Sequence, residues 1–173
     1  MNPVTFKTCT PSQMSREDFV RQFADIYEHS PWVAEQAYDQ GSGETLDQIE
    51  TLHQRMAAIL LQADRQAQLD LINAHPDLAG KAAIAGELTA SSTAEQAGAG
   101  ISECTPEEFA RFTELNSTYK EKFGFPFIMA VKGSNRHQIL AAFEERIHNT
   151  PDDEFDRALQ EINKIARFRL EML

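Results

Sequence analysis

The sequence predicts an all-α protein that folds as a single-domain, irregular bundle of about seven or eight helices. Capping residues recur along the chain, and apolar residues repeat between them at the three- or four-residue spacing of helices. Strand signals are nearly absent, because the only extended-looking segment, 124–131, contains a proline that disfavours a central strand. With 173 residues and 42% hydrophobic content, the chain is long enough to bury one core.

The individual helices are predicted from their boundaries and their periodicity. Helix starts are expected at Ser15, Pro31, Asp64, Thr105 and Thr150. Helix ends are expected near His29, Gly41 and Gly124. Further helices are expected over 45–63, 135–149 and within 90–100. The helix over 45–63 carries apolar residues at helical spacing, which are Leu46, Ile49, Leu52, Met56, Ile59 and Leu60.

Charge and composition argue against several classes of partner. The formal net charge is −11 and no cluster of Lys and Arg exists, so we expect no binding of nucleic acid. The longest apolar run, 123–131, is too short to span a membrane, and the N-terminus lacks the layout of a signal peptide. Cys9 and Cys104 form no CxxC pattern, so neither a disulfide nor a zinc site is expected. These observations predict a cytoplasmic protein with reduced cysteines.

The last predicted helix carries an arginine on its apolar face. The apolar stripe of this helix comprises Phe155, Leu159, Ile162, Ala166 and Leu173. Arg169 falls inside the stripe, whereas Arg167 falls on the solvent side. An arginine on a buried face requires an anion or a carbonyl to satisfy its guanidinium group. Two interpretations are open at this point: a structural salt bridge to a core carboxylate, or the binding of a substrate.

A polar residue and an irregular loop follow in the second half of the chain. Asn116 interrupts an apolar stripe, and we expect its amide to hold the loop that comes after its helix. In that loop Phe123, Phe125 and Phe127 alternate with a glycine and a proline. Such a loop can present unpaired backbone N–H and C=O groups to a planar, amide-rich ligand. Packing of a helix connection explains the same pattern equally well.

His75 ends a helical pattern directly before Pro76, which prevents simple continuation of the helix. An imidazole changes its charge near neutral pH, as acid–base catalysis requires. The alternative is a solvated histidine at a helix end. The other four histidines have no ligand spacing with His75 or with one another, so no metal site is predicted. Glu95 and Gln96 lie in the short helix of 90–100, and Glu95 taken alone is typical of a surface carboxylate.

Five segments together resemble the family of 2-oxo-4-hydroxy-4-carboxy-5-ureidoimidazoline (OHCU) decarboxylase. They are 74–81, 92–100, 112–133, 139–149 and 158–170, and their order and spacing agree with those of the family. The resemblance extends from about residue 12 to the C-terminus and implies one helical domain over 1–173. It also implies a carbon–carbon lyase without a cofactor or a metal, which converts OHCU to (S)-allantoin and CO₂ in the last step of urate oxidation to allantoin.

The resemblance also assigns the site residues. The catalytic residues that it implies are His75, Glu95 and Arg169. The substrate-binding residues that it implies are Pro76, Gln96, Phe125, Phe127, Ile128, Met129 and Ala130. In this assignment the arginine grips carbonyl oxygens of the substrate, the histidine transfers a proton, and the glutamate orients the histidine or positions the substrate hydroxyl. The C-terminal "EML" differs from a peroxisomal signal, from which we expect a bacterial-type member.

Two rival functions are consistent with parts of the sequence. A helical ureide-binding module without chemistry would explain the amphipathic helices and the acidic surface, but not a buried arginine. A ureide hydrolase of purine degradation would act on related compounds, although most such enzymes need a metal constellation that is not seen in this sequence. The expected partner is a small ureidoimidazoline substrate, and an acidic helical domain with a partly apolar face could form a homodimer.

Overall fold

The computed structural model describes residues 4–41, 43–78 and 90–173, except for the side chains at positions 92 and 102. Over these residues the chain forms eight α-helices and no strand, which confirms the all-α prediction. In chain order they are α1 (Arg16–Phe23), α2 (Trp32–Asp39), α3 (Ile49–Gln62), α4 (Arg65–Asn73), α5 (Ala90–Gly98), α6 (Pro106–Phe123), α7 (Arg136–Arg146) and α8 (Pro151–Glu171). None of the helices in the described ranges is long and apolar enough to cross a membrane.

The predicted capping residues occupy the helix starts. Ser15 and Thr150 accept hydrogen bonds from backbone N–H groups three residues later, and Asp64 accepts one from Ala67 at 2.7 Å. Thr105 forms a complete capping box with Glu108. Each cap satisfies an N–H group that the helix itself leaves unpaired, so these boundaries follow from the local sequence. Gly124, as predicted, ends α6 in the left-handed conformation, with φ of 81°.

The first helix is shorter than predicted, because it ends at Phe23 and not near His29. The carbonyl groups of Asp25 and Ile26 accept hydrogen bonds from the Arg169 side chain, at 3.1 and 3.4 Å. In a continued helix the same carbonyls would accept bonds from backbone N–H groups four residues later. The chain therefore leaves the helix where a distant side chain takes over its acceptors.

The start of α3 also differs from the predicted segment 45–63. The helix begins at Ile49, because Gln48 is extended and forms an isolated β-bridge with Thr5. The N–H group of Ile49 donates to the Val4 carbonyl at 2.9 Å. Because of these contacts with the N-terminal segment, α3 begins later in the sequence than predicted. The periodicity of α3 gives no information about such contacts.

The chain divides into two compact units. The first comprises Met1–Leu71 and Asn163–Leu173, and the second comprises Ile72–Ile162. Fully buried residues of the first unit include Phe19, Phe23, Tyr27, Leu52, Met56 and Leu60. Fully buried residues of the second unit include Phe112, Tyr119, Phe127, Ile139 and Phe143. Each unit therefore has an apolar core of its own, and the organisation of 1–173 as a single domain stays a prediction.

Candidate active site

His75 lies just beyond the end of α4 and is buried. Its backbone N–H group donates to the Ile72 carbonyl at 3.2 Å, which closes a tight turn directly after the helix. Only 9% of the residue's surface is exposed, so it is not the solvated histidine of the alternative interpretation. Pro76 follows it and is half-buried. A buried imidazole beside a helix break is a suitable acid–base group, although its catalytic role stays a prediction.

The segment after His75 is held by side chains from two helices. Gln96 of α5 donates to the Asp77 carbonyl at 3.3 Å, and Asn116 of α6 donates to the Leu78 carbonyl at 2.9 Å. Lys120, one turn beyond Asn116, forms an ion pair with the Asp77 carboxylate at 2.5 Å. These contacts determine the path of the backbone that carries the imidazole.

The contacts of Asn116 correct one prediction. Its amide does hold a loop, but the loop is the one after α4 and not the one after its own helix. Helical periodicity shows that Asn116 faces inward and cannot show which segment lies opposite. Its Oδ1 atom is buried without a hydrogen-bond partner in the described part of the chain. By sequence distance Asp77 could also pair with Lys81, which lies outside the described residues; within them Asp77 pairs with Lys120.

Glu95 and Gln96 lie in α5, as predicted from the segment 90–100. Gln96 is buried, whereas Glu95 is partly exposed. The contact of Gln96 with the Asp77 carbonyl brings this helix to the segment that carries His75. Within the second unit, Gln96 therefore contacts the segment that carries His75. The assignment of both residues to the site stays a prediction.

The loop from Phe125 to Ala130 has an irregular backbone between α6 and α7. Phe125, Phe127 and Ile128 are buried, and Met129 and Ala130 are half-buried. The Ile128 carbonyl accepts from Arg146 at 2.6 Å, and the Ala130 N–H group donates to Glu161 at 3.3 Å.

Other backbone groups of this loop have no hydrogen-bond partner in the described part of the chain. Within the described residues, no hydrogen bond pairs the backbone N–H and C=O groups of Phe127 and Met129. Unpaired backbone groups beside buried aromatic rings fit one of the two interpretations of this loop, in which it presents N–H and C=O groups to a ligand. Binding of a substrate by these residues stays a prediction.

Sequence reasoning missed a buried polar network beside this loop. Arg146 of α7 pairs with Glu154 of α8 at 2.9 Å, and Glu154 also accepts from the Tyr119 hydroxyl at 2.6 Å. Burial, together with the Glu154 hydrogen bond, raises the pKa of Tyr119 above its usual range. The stripe test applied to Arg169 would have found Arg146, which lies three residues after Phe143 and seven after Ile139 on one helix face.

Arg169 belongs to the first unit, near the end of α8. Its Nη2 atom lies 2.8 Å from the Glu28 carboxylate, and its Nη1 atom donates to the Asp25 carbonyl. The prediction that Arg169 faces inward is confirmed, because only 5% of the residue is exposed. Arg167 is more exposed and pairs with Glu50 and Glu171. The structural salt bridge is therefore present, and substrate binding by Arg169 stays a prediction.

An open cleft of about 390 Å³ lies in the first unit, among α2, α3 and α4. Its lining residues are Trp32, Gln36, Gln40, Ile59, Gln62, Ala63, Asp64 and Ala67. None of the predicted site residues lines this cleft. We therefore do not assign the predicted chemistry to it.

Comparisons with known proteins identify relatives over nearly the whole chain. The sequence model described as OHCU decarboxylase matches residues 12–171. The 2-oxo-4-hydroxy-4-carboxy-5-ureidoimidazoline decarboxylase of Halalkalicoccus jeotgali is 43% identical over 94% of this chain and 88% of its own length.

Solved structures show the same similarity. The crystal structure of an (S)-allantoin synthase aligns with a TM-score of 0.73 and 32% identity, over 92% of this chain and 51% of that one. This chain thus spans about half the length of that protein. The structure of an OHCU decarboxylase in the presence of (S)-allantoin aligns with a TM-score of 0.65 and 25% identity, over 80% of this chain and 87% of that one.

Proposed function

This chain belongs to the OHCU decarboxylase family, and on that premise we propose that it converts OHCU to (S)-allantoin and CO₂, the last step of urate oxidation to allantoin. The observation that carries the proposal is the match over residues 12–171, a range that includes every predicted site residue. The burial of His75 beside a helix end supports it, as do the backbone groups of Phe127 and Met129, which have no hydrogen-bond partner among the described residues.

The chemistry of the substrate explains why no cofactor is needed in this proposal. OHCU carries a hydroxyl and a carboxylate on one ring carbon, next to an imine carbon. When the bond to the carboxylate breaks, its electron pair moves into the adjacent C=N, and the nitrogen takes up a proton. The hydroxyl then loses its proton to form a carbonyl, and the neighbouring carbon gains a proton on one face. The substrate thus supplies the electron sink that a cofactor otherwise provides.

The protein has three tasks in this reaction. It holds the carboxylate out of the ring plane, stabilises the developing negative charge, and delivers a proton to one face of the ring carbon. His75 transfers the hydroxyl proton or protonates the intermediate. Arg169 binds carbonyl oxygens of the ring or the ureido group and offsets negative charge. Glu95 orients His75 or positions the hydroxyl.

Recognition of the ureido group falls to polar groups of the second unit. Gln96 and the backbone from Phe127 to Ala130 contact its N–H and C=O groups, and Pro76 and Phe125 shape the apolar wall of the site. Gln96 has a second task, because it holds the segment that carries His75. In the same proposal the protein is a single-domain cytoplasmic enzyme that binds no nucleic acid and could act as a homodimer.

Circular dichroism of allantoin formation tests the proposal. Freshly generated OHCU decays unaided to racemic allantoin, so an enzyme-dependent signal of one sign identifies stereoselective decarboxylation. We expect that signal from the wild-type protein, and its loss in His75→Asn. His148→Asn is the matched control, because it makes the same change at an exposed histidine of the second unit.

The outcomes separate the proposed enzyme from its rivals. A trace no faster than buffer, from folded wild-type protein, would remove the activity; saturable binding of allantoin would then favour a ureide-binding module. Release of ammonia in place of CO₂ would identify a ureide hydrolase. Unchanged turnover in His75→Asn would remove His75 from the mechanism.

A further inference from the structure

We propose that Arg146 is a positioning residue, which orients the backbone from Ile128 to Ala130 for binding of the substrate. The inference rests on the proposed function, because it presumes that this loop contacts OHCU. Neither the sequence motifs nor the resemblance assigned a role to Arg146. It is nevertheless buried in α7, with 5% of its surface exposed.

Arg146 contacts the loop at two neighbouring residues. Its Nη1 atom donates to the Ile128 carbonyl at 2.6 Å. Its guanidinium carbon lies 4.4 Å from the centroid of the Phe127 ring, within cation–π distance. The same ring stacks on Phe143, with centroids 3.9 Å apart and planes at 9°. One face of α7 thus holds both the backbone and a side chain of the loop.

The guanidinium group is itself held in one orientation. Its Nε atom donates to Glu154 at 2.9 Å, and Glu154 is fully buried. Tyr119 and Asn149 donate to the same carboxylate, at 2.6 and 3.0 Å. Because the planar guanidinium presents its donors in a rigid fork, orienting Nε also orients the Nη1 atom that reaches Ile128.

The network is better suited to orientation than to stability. A buried ion pair gains little over apolar residues of similar volume, because desolvation of the charges offsets their attraction. The Nη2 atom of Arg146 is also buried without a hydrogen-bond partner within the described residues. An arginine that served stability alone would be expected to satisfy its whole fork.

Two contacts bracket the part of the loop that is proposed to bind the ureido group. Arg146 holds the Ile128 carbonyl, and Glu161 of α8 holds the Ala130 N–H group. The backbone groups of Met129 lie between them and have no hydrogen-bond partner among the described residues. The two contacts therefore set the directions of the Met129 N–H and C=O groups. A displacement of about 1 Å in a substrate contact can cost on the order of a hundredfold in rate.

The experiment compares Arg146→Lys with the matched variant Arg111→Lys. Lysine keeps the positive charge, but its single nitrogen does not provide the two separate donor atoms, Nε and Nη1, with which the guanidinium group reaches Glu154 and Ile128. Arg111 of α6 forms an exposed pair with Glu144 of α7, and no hydrogen bond or ion pair among the described residues joins it to the loop. We expect the KM for OHCU to rise about tenfold or more in Arg146→Lys, with a loss of (S) excess and a smaller change in kcat. Arg111→Lys should match the wild type.

A second measurement does not depend on activity. Backbone amide exchange at Ala130, whose N–H group donates to Glu161, should accelerate in Arg146→Lys and remain at the wild-type rate in Arg111→Lys. If Arg146→Lys does not fold, Glu154→Gln takes its place. It removes the charge that orients the guanidinium, and we expect the same rise in KM and in exchange.

Each result has a distinct meaning. Wild-type activity together with unchanged KM and unchanged loop exchange in Arg146→Lys would overturn the inference. Faster loop exchange with unchanged KM would also overturn it, because Arg146 would then order the loop without affecting the substrate. A folded wild-type protein without activity would overturn the proposed function, and loop exchange would still decide whether Arg146 holds the loop.

Discussion

The guanidinium group of Arg169 lies 2.8 Å from the carboxylate of Glu28, and the two side chains are only 5% and 1% exposed to solvent. Loss of either partner removes the opposite charge that lies 2.8 Å from a buried ion. The arginine that the family resemblance assigns to the substrate is therefore also a structural residue. An experiment on its catalytic role must separate these two effects.

Replacement of Arg169 by methionine should destabilise the protein strongly. Because Glu28 would remain buried without the Arg169 guanidinium group, we expect the free energy of unfolding to fall by about 3–5 kcal/mol. Arg167→Met is the matched control on the same helix, where the pairs with Glu50 and Glu171 are more exposed, and should cost at most about 1 kcal/mol. Urea unfolding measures both. Equal losses in the two variants would contradict the importance of the Glu28 contact.

The paired variant Glu28→Met/Arg169→Met separates stability from substrate binding. Apolar residues of similar volume often replace a buried ion pair at little net cost, so we expect much of the lost stability to return. Turnover of OHCU should remain low, because the donors proposed for its carbonyl oxygens are absent. Recovery of turnover together with stability would show that Arg169 has a structural role alone. Turnover is measured at a temperature at which all variants are folded.

The comparison of Arg169 with Glu28 shows what a sequence can predict. Spacing along one helix placed Arg169 on the buried face, because helical periodicity is a local property. Glu28 was not identified, because the predicted first helix extended over it to His29. The helix ends before Asp25 and Ile26, whose carbonyls accept hydrogen bonds from Arg169, more than a hundred residues away. Caps and stripes are local signals, whereas this helix end depends on a tertiary contact.

The site shows the same limit. The family resemblance supplied His75 and the 125–130 loop as candidates, but no local pattern supplied the contacts that hold them. Asn116 was expected to hold the loop after its own helix, and it holds the Leu78 carbonyl. The apolar stripe of a helix shows which side chains face inward, but it does not show which segment of the chain they contact. The contacts that hold the two segments were thus visible only in the structure.

Replacement of Asn116 by alanine should loosen the segment that carries His75. The Leu78 carbonyl would lose its amide donor in a buried position, so we expect a cost of about 1–3 kcal/mol in the free energy of unfolding. Amide exchange of residues 75–78 should accelerate, and turnover should fall if His75 is the acid–base group. Ser117→Ala is the control, because it makes a similar change at the exposed neighbouring position of α6. Unchanged exchange in Asn116→Ala would mean that Gln96 and Lys120 suffice to hold the segment.

Two tyrosines should make the protein sensitive to alkali. Burial raises the pKa of Tyr27, and burial with the Glu154 hydrogen bond raises that of Tyr119, whereas both ionise near pH 10 in the unfolded chain. Their contribution to stability is therefore complete below about pH 10 and declines above it, because the unfolded state releases these protons first. Urea unfolding at increasing pH should show this decline, and it should be shallower in Tyr119→Phe.

The control is Thr105→Ala, which removes a helix cap and no titrating group. It should lower stability by about 1 kcal/mol and leave the dependence of stability on pH unchanged. If the stability of Tyr119→Phe declined with pH as steeply as that of the wild type, the proposed environment of the hydroxyl group would be contradicted.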